Sequence, residues 1–218
     1  GKGSATVLHN AATLGVELTT IPRVVLSHHH DDHVGGFMTL RRAVAGRAPQ
    51  ALATAHVATG IFAPRRRDPK PDEINQMVAA RAEYEATGGT FVVHDGPAEI
   101  VPGVWVTGPV PRVHPERNWG GNRLVEGSGG WVEDTLPEGQ ELVIDTDEGL
   151  VVLSGCGHAG VVNIVTHARA RIREAPIRAA VGGFHLMDST PAHIEWTGDR
   201  LREVGLGELL AAHCTGEP

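Results

Sequence analysis

The sequence predicts an α/β fold, because short apolar strand patterns alternate with helical patterns along most of its 218 residues. Its 41% hydrophobic content is enough for one sizeable core, and no apolar run approaches the roughly eighteen residues that a transmembrane helix needs. Histidines also follow several apolar strands directly, and strand ends are where α/β proteins gather their functional sites. We therefore expect a single α/β domain over residues 1–218.

Charge and cysteine content narrow the choice of partners. A formal net charge of −7 and a pI of about 6.0 argue against a nucleic-acid-binding surface or one that binds anionic membranes, so the expected partner is a small molecule. Cys156 and Cys214 each stand beside a histidine in a glycine-rich segment, which favours a site role or a buried thiol over a disulfide framework. No targeting segment is visible, which predicts a cytoplasmic protein, and a homo-oligomer stays open.

The first half of the chain predicts a strand, a helix, a second strand and an amphipathic helix, in that order. They are residues 22–26, residues 34–44, residues 51–55 and a helix from Pro71 to the Gly88-Gly89 pair. The run Arg65-Arg66-Arg67 between them is predicted to be a solvated loop.

The second half predicts a β-rich stretch followed by repeated strand–loop–helix units. Strands are expected at residues 90–93 and 100–107, then a polar loop through Trp131, then a hairpin of residues 141–145 and 150–153. Three apolar strands then end in histidine or in a Cys/His pair, at residues 151–158, 179–185 and 209–214. Helices beginning near Ala159 and Pro191 connect them, the second with Thr190 as a favourable N-cap.

Residues 28–33 are the most informative segment, since they hold four of the thirteen histidines and two aspartates. Random placement would give about 0.4 histidine in such a window. On an extended backbone His28 and His30 leave the chain on the same side and can share a cation, and Asp32 and His33 can reach a second one where the chain turns. These donors suit zinc, iron or manganese, and two ions about 3.5–4 Å apart activate water for hydrolysis at neutral pH.

The pattern His28-x-His30-x-Asp32-His33 resembles the signature of the metallo-β-lactamase fold superfamily. Segments 155–164, 182–186 and 213–216 are similar to those of the branch named for dihydropterin-ribofuranosyl-aminobenzene-phosphate synthase, whose bacterial relatives are metal-dependent hydrolases. The similarity extends from about Leu8 to the C-terminus. It implies an αββα sandwich, zinc as the expected metal in one or two ions, with iron or manganese as alternatives, and a small-molecule substrate.

Three departures from the superfamily pattern affect these expectations. The usual N-terminal hairpin and Asp-x-Gly strand have no counterpart before residue 22, and the chain stops soon after the His213-Cys214-Thr215-Gly216 segment, which suggests a fragment or strands supplied from elsewhere. The aspartate that bridges two metals in many members also has no match, because Cys156 stands there. Cys156 is either a thiolate ligand that favours zinc or a buried thiol.

The resemblance implies unequal roles for the candidate ligands. His28, His30, Asp32 and His33 follow directly from the shared motif, with His158 and His213 as the next metal ligands, and Asp32 is also the residue that accepts the proton of the attacking water. His114 is an alternative third histidine for the first metal. His185 is expected to orient substrate or a ligand rather than to bind the metal itself, with direct metal binding and a structural role as open alternatives. The remaining histidines are expected to be ordinary surface or core residues: His9, His56, His94, His167 and His193.

The expected activity is hydrolysis of an ester, phosphoester, lactone or amide. A phosphorylated substrate would be held through Arg112, Arg117 or Arg123. Two alternatives stay open: a transferase that condenses an aminobenzoate-type amine with a phosphoribosyl or pterin pyrophosphate, and a non-catalytic metal-binding fragment. Release of pyrophosphate would separate the transferase from the hydrolase.

Overall fold

The computed structural model describes residues 3–216, which divide into two compact units. The first unit comprises residues 1–93 and 121–134, and the second comprises residues 94–120 and 135–218. Within the described residues, the first unit holds two three-stranded sheets and two buried clusters, and the second holds one six-stranded sheet and one buried cluster. The single domain over residues 1–218 stays a prediction.

The first unit begins with a helix rather than a strand. Within the described residues the first strand is β1, and its preceding elements are α1 and a short 3₁₀ turn. The elements around it are α1 (Thr6–Thr13), the turn Leu18–Thr20, β1 (Arg23–Val25), α2 (Asp31–Val34), α3 (Phe37–Ala45), β2 (Thr54–Ala58), α4 (Gln76–Ala86) and β4 (Thr90–His94). Strand β2 lies between β1 and β4, and β1 pairs with it in parallel, with Arg23 opposite Thr54.

Sequence patterns located most of these elements to within a few residues. The predicted helix near residues 34–44 is α3, preceded by the separate turn α2. Helix α4 begins later than predicted, because Asn75 is its N-cap and its side-chain oxygen accepts a hydrogen bond from Met77 N at 3.0 Å. The sequence places Ile74, Met77, Val78 and Tyr84 at helical spacing, as expected for a core-facing stripe. Met77 and Tyr84 are fully buried in one cluster with Phe37, but Val78 is exposed, so the stripe is only partly core.

Two sequence predictions in the first unit are wrong. The Arg65-Arg66-Arg67 run is strand β3 (Arg65–Arg67), and part of the predicted polar loop is the hairpin of β7 (Arg123–Gly127) and β8 (Gly130–Glu133). These form an antiparallel sheet in the order β3-β7-β8. Arg65 is fully buried because its Nε donates to Asp134 Oδ2 at 3.0 Å and its Nη1 to the Ala63 carbonyl at 2.9 Å. The arginine run alone does not indicate that Asp134, which is distant in sequence, neutralises the charge of Arg65.

The second unit is built on a six-stranded sheet in the order β12-β11-β10-β9-β6-β5. Its strands are β5 (Ala98–Val101), β6 (Val104–Val106), β9 (Leu142–Thr146), β10 (Gly149–Ser154), β11 (Ile177–Gly182) and β12 (Glu208–Ala211). The predicted hairpin is β9–β10, with Thr146 paired with Gly149. Strands β10, β11 and β12 are parallel, so the loops that follow them leave from the same edge of the sheet.

Helices α5 (Val161–Arg171) and α6 (Pro191–Val204) connect these parallel strands, as predicted. Thr190 is the N-cap of α6, and its side chain accepts a hydrogen bond from His193 N. The core of this unit is a cluster of aliphatic residues from β10, α5 and β11 with Phe184, which is fully buried. This packing fixes the positions of the β10, β11 and β12 ends that carry the second set of predicted site residues.

None of the helices described is both long enough and apolar enough to span a membrane.

Candidate metal centre

The motif loop, residues 27–34, brings three of its histidine rings together in the first unit. The chain is extended through His30, whose φ and ψ are −61° and 144°, and α2 begins at the next residue. The His28 ring lies 4.7 Å from the His30 ring and 4.2 Å from the His33 ring, centroid to centroid. The Ser27 hydroxyl lies 3.1 Å from His28 Nδ1 and 3.4 Å from His33 Nδ1. The predicted grouping of these histidines is therefore present.

Asp32 completes this group. Its Oδ2 lies 3.2 Å from His33 Nε2. Metal–ligand bonds of about 2.0–2.2 Å separate the donors of a tetrahedral ion by roughly 3.3–3.5 Å, so this spacing fits two donors that share one cation as well as it fits an ion pair. Imidazole nitrogens and a carboxylate in one loop form a donor set that suits zinc, iron or manganese. On this observation the residues present fit a metal.

His29, in the middle of the triplet, has a different role that the sequence did not reveal. It is buried, and its Nε2 lies 3.9 Å from Asp134 Oδ2, the same oxygen that accepts the Arg65 hydrogen bond. The His29 ring also lies 4.7 Å from the His30 ring, so His29 stays next to the other motif histidines. It therefore places the loop beside the buried Arg65–Asp134 pair. Nothing in the sequence singles out Asp134 as its neighbour.

His158 lies in the second unit, in the loop that follows β10, and is buried. Its Nδ1 lies 2.5 Å from the backbone carbonyl oxygen of Asn118. A carbonyl can only accept, so Nδ1 carries the proton and the lone pair of the neutral ring is on Nε2. Metal-binding histidines are held in the same way in many proteins. This local geometry fits the predicted role of His158 as a ligand.

The thiol cluster, which we define as Cys156, His185 and Cys214, gathers the ends of β10, β11 and β12. One donor atom from each residue lies within 4.8 Å of the others, and both cysteines are buried and not in a disulfide. The pKa of Cys214 is lowered to about 4, mainly through a hydrogen bond with the Cys156 side chain and then through interactions with His185. The Cys214 thiol also lies 3.7 Å from the Cys156 carbonyl oxygen, to which it can donate. Cys214 was not among the predicted ligands, although its place beside His213 at a strand end was the available signal.

The backbone at this edge is strained. His185 and His213 have φ values of +43° and +55°, a region that non-glycine residues seldom occupy and that is often found at functional sites. Only glycine fits at position 183, because a Cβ there would lie 2.4 Å from the Gly155 carbonyl oxygen and 3.0 Å from Cys214 Sγ. His213 itself is exposed at the start of a 3₁₀ turn, His213–Thr215. The Gly182-Gly183 pair therefore allows the ends of β10, β11 and β12 to approach closely.

Two buried carboxyl groups, those of Glu141 and Glu116, accept hydrogen bonds from the backbone between β10 and the start of α5. No sequence pattern indicates either one. Glu141 Oε2 accepts a hydrogen bond from Gly155 N at 3.2 Å, and burial raises the pKa of Glu141 to about 8. Glu116 accepts from Val162 N and Asn163 N at 3.2 and 2.8 Å, and burial raises the pKa of Glu116 to about 7. Glu116 thus satisfies the first amides of α5.

His114 is not part of the thiol cluster. Its backbone N donates to Asn163 Oδ1 at 2.7 Å, and its ring lies 6.4 Å from the Trp196 ring. Within residues 3–216, it belongs to no group of three metal-binding donors. Its role as an alternative ligand stays a prediction, without support from its surroundings in the second unit.

Comparisons with known proteins agree with this fold. No protein-family model matches the chain. The 7,8-dihydropterin-6-methyl-4-(β-D-ribofuranosyl)-aminobenzene-5′-phosphate synthase of Methanocaldococcus jannaschii is 26% identical over 213 residues, which cover 96% of this chain and 71% of that protein. A crystal structure of a metal-dependent hydrolase of the β-lactamase superfamily is 28% identical, with a TM-score of 0.78 over 98% of this chain and 76% of that one.

These findings confirm the predicted α/β class and the resemblance to the metallo-β-lactamase fold superfamily. The chain is also similar to the dihydropterin-ribofuranosyl-aminobenzene-phosphate synthase, as the 155–164, 182–186 and 213–216 segments predicted.

Proposed function

We propose that the protein is a metal-dependent hydrolase that activates water for attack on an ester, phosphoester, lactone or amide. The observation that carries the proposal is the motif loop, where three imidazoles and the Asp32 carboxylate meet within six residues of sequence. The similarity to a metal-dependent hydrolase over nearly the whole chain supports the same class of reaction. The substrate is proposed to be a small molecule.

The proposed ligands are those of the sequence motifs: His28, His30, Asp32, His33, His158 and His213. The proposed cofactor is zinc, as one or two ions. Imidazole and carboxylate ligands favour zinc over magnesium, and so do the thiols of Cys156 and Cys214, which stand close to His158 and His213 in the sequence. A divalent ion held by such residues supplies Lewis acidity and lowers the pKa of water toward about 7.

The chain's own residues orient these donors and handle the proton. The Ser27 hydroxyl, within 3.4 Å of both His28 Nδ1 and His33 Nδ1, limits the rotation of both rings. The Asn118 carbonyl fixes the tautomer of His158. The Asp32 side chain is 37% exposed, which leaves its carboxylate reachable by water, and we assign it the proton of the attacking water.

The proposal is tested by turnover of chromogenic acetates, phosphomonoesters, phosphodiesters and lactones, before and after chelation and after return of Zn²⁺, Mn²⁺ or Fe²⁺. We expect hydrolysis that is lost on chelation and restored by one of these ions. Absence of turnover of every class by fully metal-loaded, folded protein would contradict it.

A transferase of the pterin-pathway type is the second candidate, favoured by the similarity to the Methanocaldococcus jannaschii synthase. It would join an aminobenzoate-type amine to a phosphoribosyl or pterin pyrophosphate. Stoichiometric pyrophosphate release in the presence of both substrates, with no hydrolysis of either alone, would support this reaction over hydrolysis.

A further inference from the structure

A cavity of about 300 Å³ lies beside the motif loop in the first unit, lined by His30, Asp31, Asp32, Arg67 and Arg123. The space is large enough for several water molecules. It can hold a phosphoryl group together with part of the molecule to which that group is attached.

Two guanidinium groups lie on one wall of this cavity. Arg67 on β3 is directly opposite Arg123 on the antiparallel strand β7. Like charges directly opposite each other on neighbouring strands destabilise a sheet. Burial, and then the charge of Arg67, lower the pKa of Arg123. The fold therefore holds the positive charges of Arg67 and Arg123 close together, and the Arg123 guanidinium is partly buried.

The neighbouring arginines of the same strand are used differently. The Arg65 guanidinium is neutralised by Asp134, and that of Arg66 lies over the Trp131 ring at 4.5 Å. In the part of the chain that the structure describes, Arg67 and Arg123 form neither an ion pair nor a side-chain hydrogen bond. Of the three arginines in β3, only Arg67 faces the cavity.

The nearby carboxylates already have other partners. Asp134 accepts from Arg65 Nε at 3.0 Å, Asp31 Oδ1 accepts from Gln76 Nε2 at 3.1 Å, and Asp32 Oδ2 lies 3.2 Å from His33 Nε2. These acids attract Arg123 without pairing with it. Asp31 and Asp32 line the same cavity, so their charges oppose an anion near them, and the positive charge that an external anion can satisfy is confined to the wall formed by Arg67 and Arg123.

We propose that Arg67 and Arg123 form a clamp that binds the phosphomonoester group of the substrate. The role in catalysis rests on the proposed function, whereas the binding of phosphate does not. The planar fork of each guanidinium matches two phosphate oxygens, and two such forks balance a dianion, whereas a carboxylate would satisfy only one. Arg112 and Arg117 do not share this setting, because Arg112 donates to the backbone carbonyls of Thr135 and His158 and Arg117 lies over the Trp119 ring.

The test is titration calorimetry with inorganic phosphate, on the full chain, in metal-loaded and in chelated protein. In chelated protein, Arg67→Gln and Arg123→Gln should each weaken phosphate binding at least about tenfold, which corresponds to the loss of one charge-assisted contact. Arg66→Gln is the matched control on the same strand and should change the affinity less than about twofold. Acetate should bind wild type at least about tenfold more weakly than phosphate.

Circular dichroism and metal content establish that each variant is folded and loaded. If Arg123→Gln does not fold, Arg123→Lys, which keeps the charge without the fork, should still weaken phosphate binding several-fold. Equal phosphate affinity in the Arg67, Arg123 and Arg66 variants would overturn the clamp, as would phosphate binding that disappears entirely on chelation of wild type. The two proposals can also fail separately. If both clamp variants lose phosphate binding but the wild type hydrolyses no substrate, the clamp is supported and the hydrolase is rejected.

Discussion

The motif loop and the thiol cluster differ in how the chain assembles them. The loop takes its donors from residues 27–33, so a strand end and one helical turn are enough to group them. The cluster takes its donors from three loops, and Cys156 and Cys214 are 58 residues apart. The first region depends on local geometry, whereas the second depends on the packing of β10, β11 and β12.

The two regions also differ in solvation. In the loop, Asp32 and His33 keep 37% and 17% of their side chains exposed. In the second unit, both thiols and the supporting Glu116 and Glu141 are buried, and burial raises the pKa of both carboxyls. A substitution in the loop should therefore alter chemistry more than stability, and one beneath the cluster should do the reverse.

The largest expected effect on the second region is from Gly160→Ala. A Cβ at Gly160 would lie 2.2 Å from Glu116 Cδ, and φ at this residue is +94°, where an L side chain is strained. We expect a loss of about 3 kcal/mol or more in the free energy of unfolding, measured by urea denaturation.

Gly46→Ala is the matched control for Gly160→Ala, since its φ is −71° and no atom lies within 4 Å of the added Cβ. We expect it to change stability by less than about 0.5 kcal/mol. Equal effects of the two substitutions would show that the contact with Glu116 does not limit this region.

In the motif loop, Asp32→Asn should lower kcat about 10²-fold or more on any hydrolysed substrate, because a positioned proton acceptor and a metal donor are lost together. His28 and His30 remain, so roughly one ion should stay bound and the melting temperature should change little. Asp147→Asn, at an exposed hairpin, should leave kcat unchanged. Full activity of Asp32→Asn with its metals retained would reject the two-metal hydrolase.

Glu141→Gln should make the protein more stable, by an amount that grows with pH. The carboxyl has a pKa of about 8 when folded and an ordinary value of 4.5, so unfolding releases its proton between these values and stability falls as the pH rises. Glutamine removes this loss and can still accept from Gly155 N. We expect the free energy of unfolding of Glu141→Gln to exceed that of wild type by about 1 kcal/mol or more at pH 8, relative to the difference at pH 5.

Thermal melts across this pH range measure the effect, with Glu195→Gln on the exposed face of α6 as the control. A pH profile of Glu141→Gln that is parallel to that of wild type would show that Glu141 is ionised in the folded protein.

A smaller effect separates the two interpretations of Cys156. A zinc-bound thiolate resists alkylation and becomes reactive on chelation, whereas a buried thiol stays protected until the protein unfolds. Mass spectrometry of the alkylated peptides measures the alkylation rate of Cys156 before and after chelation, with Cys214 as the internal comparison. Rapid alkylation of Cys156 in the metal-loaded protein would contradict both interpretations.

The same contrast explains what could be predicted from the sequence. The motif loop and the strand-end histidines were found because strand patterns are local and the loop's ligands are adjacent in sequence. The partners Asp134, Glu116 and Glu141 were missed, since each acts through a contact with a residue 14 or more positions away. The Arg65-Arg66-Arg67 run was misjudged for the same reason, because burial of Arg65 depends on Asp134, 69 residues further along.

The most direct test of the account is the metal content of protein purified without added metal, measured by mass spectrometry for wild type, His30→Ala and His9→Ala. His9 lies exposed on α1 and is the matched control. We predict that His30→Ala loses at least one equivalent of metal per chain and melts at a lower temperature, because metal binding stabilises the folded state, and that His9→Ala matches wild type. Unchanged metal content in His30→Ala would contradict the assignment of the motif loop as a metal-binding site.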